Sequence, residues 1–360
     1  MDHSTDAGTS GAFIRDRDAW TSAIRGHDLD VYYEFDYVAL DLADGDVAEL
    51  FVYSHPGGTL LHPYVCRPVT GTPYSDTVTA YGYGGPVLRG AWTTAQVLEA
   101  KDTFRASCRS RSIVTETIRF HPLLDQTLIG PDWVDAYRRR QTTTYVDLRR
   151  PLAEVLEDID KRSQRNIRKA EREAVTVRPA GSEGIETFVP LYWETMDKRH
   201  AAERYYFGRQ YFEAIFASDR LDAEFLFAER QREVIAGCLV LYGPEFAHYH
   251  LGASAREHLS HRPNHLLFRE MINRSSARGK RALHLGGGAT PAADDSLLSF
   301  KKSFTGSRQE QFVLGESVFD QSAYLALCQE LTPAPAATTP WFPLYRRPAV
   351  QAAPTASAHP

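Results

Sequence analysis

"AEFLFAERQREVIAGCLVLYGPEFAHYHLGAS" occupies residues 223–254. Apolar runs rich in Phe, Leu, Val and Ile stand on either side of the charged stretch around Gln231 and Arg232. Gly243-Pro244 then breaks the chain before a third run starting at Phe246. Such runs, bounded by turn residues, read as three consecutive antiparallel strands. Working outward, Val175–Val177 reads as a short strand, and helices are expected at about 184–199 and 209–218. Pro263 suits a first helical turn and Gly279 a helix end, which predicts a helix over about 263–278. "RALHLGG" (281–287) reads as a strand, 293–304 as a helix and 308–314 as a last strand. On the N-terminal side, Pro151 to about Glu173 reads as one helix, with Val155, Leu156, Ile159, Ile167 and Ala170 on one side.

Strand, two helices, three antiparallel strands, helix, strand, helix, strand is the order of the GNAT acyltransferase fold. The first half repeats it. "AELFVYSHPGGTLLHPYVCRPV" (48–69) parallels the hairpin at 223–242, a third strand follows, then a helix at about 93–108 and a strand at about 112–118. The expected fold class is α+β, with two tandem GNAT-like domains whose mixed sheets are flanked by helices. The expected division is 13–150, 151–330 and a disordered Pro/Ala-rich tail at 331–360, in which "WFPLYRR" has the composition to dock on the body.

The 360 residues suit two domains, and 43% apolar content suffices for ordinary cores. The formal charge is −5. The polar start "MDHSTDAGTSGAF" lacks the parts of a secretory signal, and no run of about 18 apolar residues occurs, so a cytoplasmic protein without a membrane span is expected. Cys66, Cys108, Cys238 and Cys328 are far apart and suggest neither zinc nor disulfides. With 34 arginines and only 7 lysines, the adjacent pair Lys301 and Lys302 stands out.

"KRSQRNIRKAER" (161–172) sets Lys161, Arg165, Arg168 and Arg172 along one helical stripe, widened by Arg162 and Lys169. It is either a solvated charged face or, because acidic partners are so few, a phosphate site suited to arginine's paired donors. "RPNHLLFRE" (262–270) stands where a strand passes into a helix whose free N–H groups favour anions. In acetyl-CoA-binding GNAT proteins this turn is glycine-rich. Here Pro263 and His265 replace the open turn, which argues against ordinary coenzyme A binding. "YGYGGP" (81–86) has glycines but no helix directly after it. "LHLGGGATPAADDSLLSFKKSF" (283–304) combines glycines that permit close backbone approach with Lys301. Five histidines within 248–265 lack clustered acidic or Cys partners, so no metal is expected. No covalent-nucleophile motif is present.

"RNIRKAER", "YYF" (205–207), "YHLGAS", "RPNHLL", "LHLGGG" and "FKKSF", in that order, resemble the Fem-like branch of the GNAT superfamily, over about residues 28–320. Its best-known members are the peptidoglycan bridge aminoacyltransferases. The resemblance implies transfer of an aminoacyl group from aminoacyl-tRNA to an amine, with no metal and no resident cofactor. It implies that Lys301 is catalytic and meets the oxyanion of the tetrahedral intermediate. It also implies that Arg165, Arg168 and Lys169 hold acceptor or tRNA phosphates, and that Tyr83, Tyr206, Tyr249, Arg262, Asn264 and Gly287 bind substrate. The acceptor is then a peptidoglycan precursor or a small natural-product amine. An acyl-CoA-dependent N-acyltransferase, with acetyl-CoA as donor, is the alternative. Oligomeric state is left open, and a monomer fits.

Overall fold

The computed structural model describes residues 10–290, 292, 294–331 and 341–347. Its first half runs β1 (Ser10–Ile14), α1 (Arg17–Ile24), α2 (Phe35–Val38), β2 (Val47–His55), β3 (Gly58–Pro68), β4 (Ser75–Val78), β5 (Val87–Gly90), α3 (Thr94–Ser110), β6 (Ile113–Arg119), α4 (Gly130–Trp133) and β7 (Ala136–Asp147). The second half runs α5 (Leu152–Glu157), α6 (Lys161–Arg172), β8 (Thr176–Ala180), α7 (Ile185–Lys198), α8 (Arg209–Ala217), β9 (Asp222–Arg230), β10 (Glu233–Tyr242), β11 (Phe246–Ser254), α9 (Pro263–Ala277), β12 (Ala282–Gly287), α10 (Ser296–Lys302), β13 (Gln309–Val318) and α11 (Gln321–Leu331).

All strands join one mixed sheet, ordered β1-β2-β3-β4-β6-β13-β7-β12-β11-β10-β9-β8, with β5 against β3. The order is palindromic: β1 to β6 on one side match β8 to β12 on the other. The parallel steps, β4 to β6 and β11 to β12, are each bridged by a helix, as parallel neighbours require. At the centre the halves exchange strands. β7 belongs to the first half by sequence yet pairs with β12, and β13 belongs to the second yet pairs with β6. One hydrophobic core accordingly draws on both halves, from Trp20, Tyr33 and Leu50 to Phe188, Phe225 and Leu239.

The repeated "AE" dipeptide has a structural reason. Glu49 on β2 accepts from Tyr64 on β3 and from Arg111 after α3. Glu224 on β9 accepts from Tyr242 on β10 and from Arg274 near the end of α9. The same network is built twice.

The single helix expected over 151–173 is two. Asp160 takes extended backbone and caps α6, its carboxylate accepting from the Ser163 N–H at 2.6 Å, while its own N–H donates to Ser303 O at 2.8 Å. An Asp that satisfies free N–H groups starts a new helix more readily than it continues an old one. The strand expected at Val175–Val177 runs Thr176–Ala180. Most of the expected disordered tail lies outside the described residues. "WFPLYRR" does dock: Tyr345 is buried with Val114 and Leu327, and Arg346 pairs with Asp76 at 2.8 Å. Among the described residues no helix is long and apolar enough to cross a membrane.

Candidate active site

The site arises from strands that part. β11 and β12 pair only across Phe246–His248 and Ala282–His284. Beyond that, β11 stays with β10 as far as Ser254, while β12 follows β7 through Gly286 and Gly287. In the first half the matching strands stay together: β4 pairs with β6 from Ser75 to Val78, and Gly84 then bridges to Phe120. Among the described residues, the parting of β11 and β12 opens a crevice in the sheet of the second half. It leads into a cleft of about 600 Å³ between the halves.

Lys301 enters this cleft from α10, which is capped by Asp295 accepting from the Leu298 N–H at 2.9 Å. Its ammonium donates to Gly287 O at 2.7 Å and lies 5.3 Å from the Tyr249 ring centroid. Only 5% of the residue is exposed. Burial, with the charge of Arg199 adding to it, pushes the Lys301 ammonium down to about 7, against a smaller opposing effect of Asp295. Gly286 adopts φ +74°, and a Cβ there would stand 3.5 Å from Lys301 Nζ, so the glycine admits both the turn and the amine. Lys302, its sequence neighbour, does not line the cleft.

Tyr83, Tyr249, Gly287 and Lys301, all expected at the site, do share the cleft. "YGYGGP" places Tyr81, Gly82 and Tyr83 on the cleft wall. The other expected residues lie elsewhere. Tyr206 donates outward to Asp197 at 2.9 Å, and its neighbour Tyr205 faces the cleft instead. Asn264 accepts from the Ser254 hydroxyl at 3.0 Å. Arg262 is the left-handed residue (φ 61°) that precedes α9, and Pro263 leaves the first position of that helix without an N–H. Arg165 and Arg168 sit on the exposed face of α6, opposite buried Ser163, Ile167 and Ala170, and Lys169 pairs with Glu173 at 3.5 Å. Arg162, Arg165, Arg168 and Arg172 make no ion pair among the described residues, so the stripe is solvated and free for an anion, but outside the cleft.

Several lining residues carried no signal in the sequence. Tyr32, Arg119, Arg140, Arg199 and Phe312 come from a short helical turn, three strands and a helix end far apart in the chain, while His284 stood inside a quoted motif without being singled out. Tyr81 stood inside a quoted motif but offered no reason to be preferred over Tyr83. The histidines of 248–265 disperse. His250 bonds Tyr211 at 2.7 Å, His265 bonds Asn166 at 3.0 Å, and His261 bonds Glu173. His248 joins Asp30 and His121 beneath the cleft, a buried trio compact enough to hold a metal ion. Its hydrogen bonds suggest another role. The Leu123 N–H donates to His121 Nδ1 at 3.2 Å, which leaves the proton on Nε2 to donate to Asp30 at 2.7 Å. His248 Nε2 makes the same bond, also at 2.7 Å. Burial alone would raise the Asp30 carboxyl, but these partners outweigh it and hold it well below its usual range. The trio ties the halves together under the site. The four cysteines are free, and burial raises each thiol above its ordinary value, which disfavours a thiolate nucleophile.

Residues 160–301 match the acetyltransferase (GNAT) domain family. No curated protein matches the chain significantly. Among solved structures it is similar to FemX, at 14% identity and a TM-score of 0.69, over 88% of this chain and 99% of that one. L-PGS from Bacillus licheniformis is similar at 13% identity and a TM-score of 0.56, over 87% and 95%. A tandem GNAT protein from the clavulanic acid biosynthesis pathway is similar at 12% identity and a TM-score of 0.50, over 87% and 99%. At these identities the likeness is one of fold. The match at 160–301 is to the GNAT domain family, and the whole chain has a tandem GNAT fold similar to that of FemX.

Proposed function

We propose that this protein is an aminoacyltransferase that forms an amide by moving an aminoacyl group from aminoacyl-tRNA to an amine. The observation that carries the reading is Lys301, a buried cation at the point where β11 and β12 part, with a glycine backbone beside it. An amine attacking the ester carbonyl forms a C–N bond and places negative charge on the carbonyl oxygen; collapse then breaks the bond to the ribose oxygen, which leaves as a hydroxyl by taking up a proton equivalent to the one the nitrogen loses. A preorganised cation in a partly desolvated cleft stabilises that charge as it develops. The ester is already activated, so positioning of the amine supplies much of the remainder. The exposed arginines of α6 offer a contact for tRNA phosphates outside the cleft.

FemX and L-PGS share the fold, which supports the reading without fixing the donor. The tandem GNAT protein from the clavulanic acid pathway, a structure without AcCoA, keeps the acyl-CoA alternative in view. Against that alternative stands α9, whose first turn is closed by Arg262 and Pro263 rather than opened by glycine. The acceptor is a peptidoglycan precursor or a small natural-product amine. The deciding experiment incubates the purified chain with charged tRNA or acetyl-CoA and candidate amines, then identifies products by mass spectrometry. Amide formed from charged tRNA and abolished by RNase is expected. Acetylated product from acetyl-CoA alone moves the reading to the alternative.

A further inference from the structure

The charge of the cleft is one-sided. Arg119, Arg140, Arg199 and Lys301 line it, and among the described residues no Asp or Glu does. Arg119, Arg140 and Arg199 make no ion pair with any described residue, whereas Arg138, two residues before Arg140, pairs with Glu316 at 2.8 Å. Unpaired guanidinium groups gathered around one space repel one another until an anion arrives.

The sheet aims two of them. Arg119 ends β6 opposite Leu314 of β13. On the other side of β13, the register with β7 steps from Phe312↔Gln141 to Val313↔Arg139, so Arg140 is the extra residue of a bulge. Bulges re-aim side chains, and this one turns Arg140 to the cleft that Phe312 and Leu314 also line. Three adjacent strands span about 10 Å between the outer two, a distance that two long arginine side chains close from either side. Arg199 comes from the end of α7, across the cleft from both. Lys301 and its glycines belong to the second half, and Arg119 and Arg140 to the first.

We propose that the amine acceptor carries an acidic group, a carboxylate or a phosphate, which Arg119, Arg140 and Arg199 hold while its amine faces Lys301. Guanidinium binds either oxyanion with paired donors. The assignment to the acceptor rests on the transferase reading above; the anion site itself does not.

The test titrates the full chain with inorganic phosphate and, separately, with succinate, by calorimetry at low ionic strength. The variants are Arg119→Gln/Arg140→Gln and, as a control on exposed surface outside the cleft, Arg25→Gln/Arg109→Gln. At least one probe should bind, and the cleft variant should weaken it by about tenfold or more while the control does not. The probe that binds identifies the preferred acid. Arg140 is exposed, so Arg140→Gln alone serves if the double variant folds poorly. Binding of neither probe, or equal loss in both variants, overturns the site. In the transfer assay, an acceptor acid should have a KM about tenfold or more below that of its neutral amide, and Arg140→Gln should erase the difference. Equal KM values for acid and amide overturn the acceptor assignment. If no amide forms with any acceptor, the transferase reading falls, and the titration alone decides whether the cleft holds an oxyanion.

Discussion

At the scale of single residues, Lys301 and Lys302 differ by one position and by almost everything else. Lys301 is buried with its ammonium on Gly287 O, and Lys302 lies outside the cleft. Lys301→Ala should lower kcat by roughly 10²–10³-fold, the usual cost of one oxyanion donor, with KM far less affected. Lys302→Ala should stay near wild type. Equal mild losses in steady-state kinetics would remove Lys301 from the reaction centre. The pH profile separates two roles for the same amine. An oxyanion donor acts best when charged, so kcat should fall as pH rises through about 7, the value to which burial pushes this group. A rate that instead rises through that pH would make Lys301 the base that takes the ammonium proton. Stability follows with a worked sign. Between about 7 and the ordinary value of 10.5, the unfolded chain binds a proton that folded Lys301 does not, so this group's contribution to unfolding free energy rises with pH over that window. Below it, both states are charged and the burial penalty is fully present. Lys301→Met, which removes the buried charge, should therefore raise Tm by about 2 °C or more at pH 6, read by calorimetry, while lowering kcat as much as Lys301→Ala does.

At the scale of elements, the twin networks around Glu49 and Glu224 fasten each β hairpin to its crossover helix. Burial would raise the Glu224 carboxyl, but hydrogen bonds from Arg274 and Tyr242 offset this and hold it below its ordinary range. Arg274→Ala leaves that carboxylate in a buried place with one partner fewer. It should destabilise the fold by about 3 kcal/mol in urea unfolding, unless the neighbouring Arg278 closes the gap. A loss under about 0.5 kcal/mol would show that the pair is merely tolerated. Helix α6 makes the opposite prediction. Arg165 is exposed and unpaired, so Arg165→Ala should leave Tm unchanged while weakening charged-tRNA binding, with an effect that shrinks as salt rises. A salt titration showing no difference from wild type would return the stripe to a solvated surface.

At the scale of the whole molecule, the exchange of β7 and β13 makes the two halves one folding unit. β13 forms ladders with both β6 and β7, and β7 also pairs with β12. Residues 1–150 and 151–360 expressed separately should each fail to show a cooperative urea transition, because each leaves central strand edges and half of a shared core uncovered. Two halves that unfold cooperatively on their own would contradict this. The same exchange builds the site, since it brings Arg119 and Arg140 of one half over Lys301 of the other.

Much of this was legible in the order of elements. Hairpin, third strand, helix and strand could be read twice along the chain, because alternation and turn residues report local geometry. The glycine run and Lys301 were also legible, since one flexible turn and one of few lysines lie fifteen residues apart. The break at Asp160 was not, because its cap competes with a helical pattern that continues on both sides. Nor were Arg119, Arg140, Arg199 and Tyr205, which look in sequence like ordinary strand, helix-end and loop residues. Periodicity shows which face an element buries and leaves open which element it meets. Long-range pairing decides that, and here it decided three things: that β11 and β12 part while β4 and β6 do not, that the halves trade their last strands, and that the unpaired cations gather in one cleft.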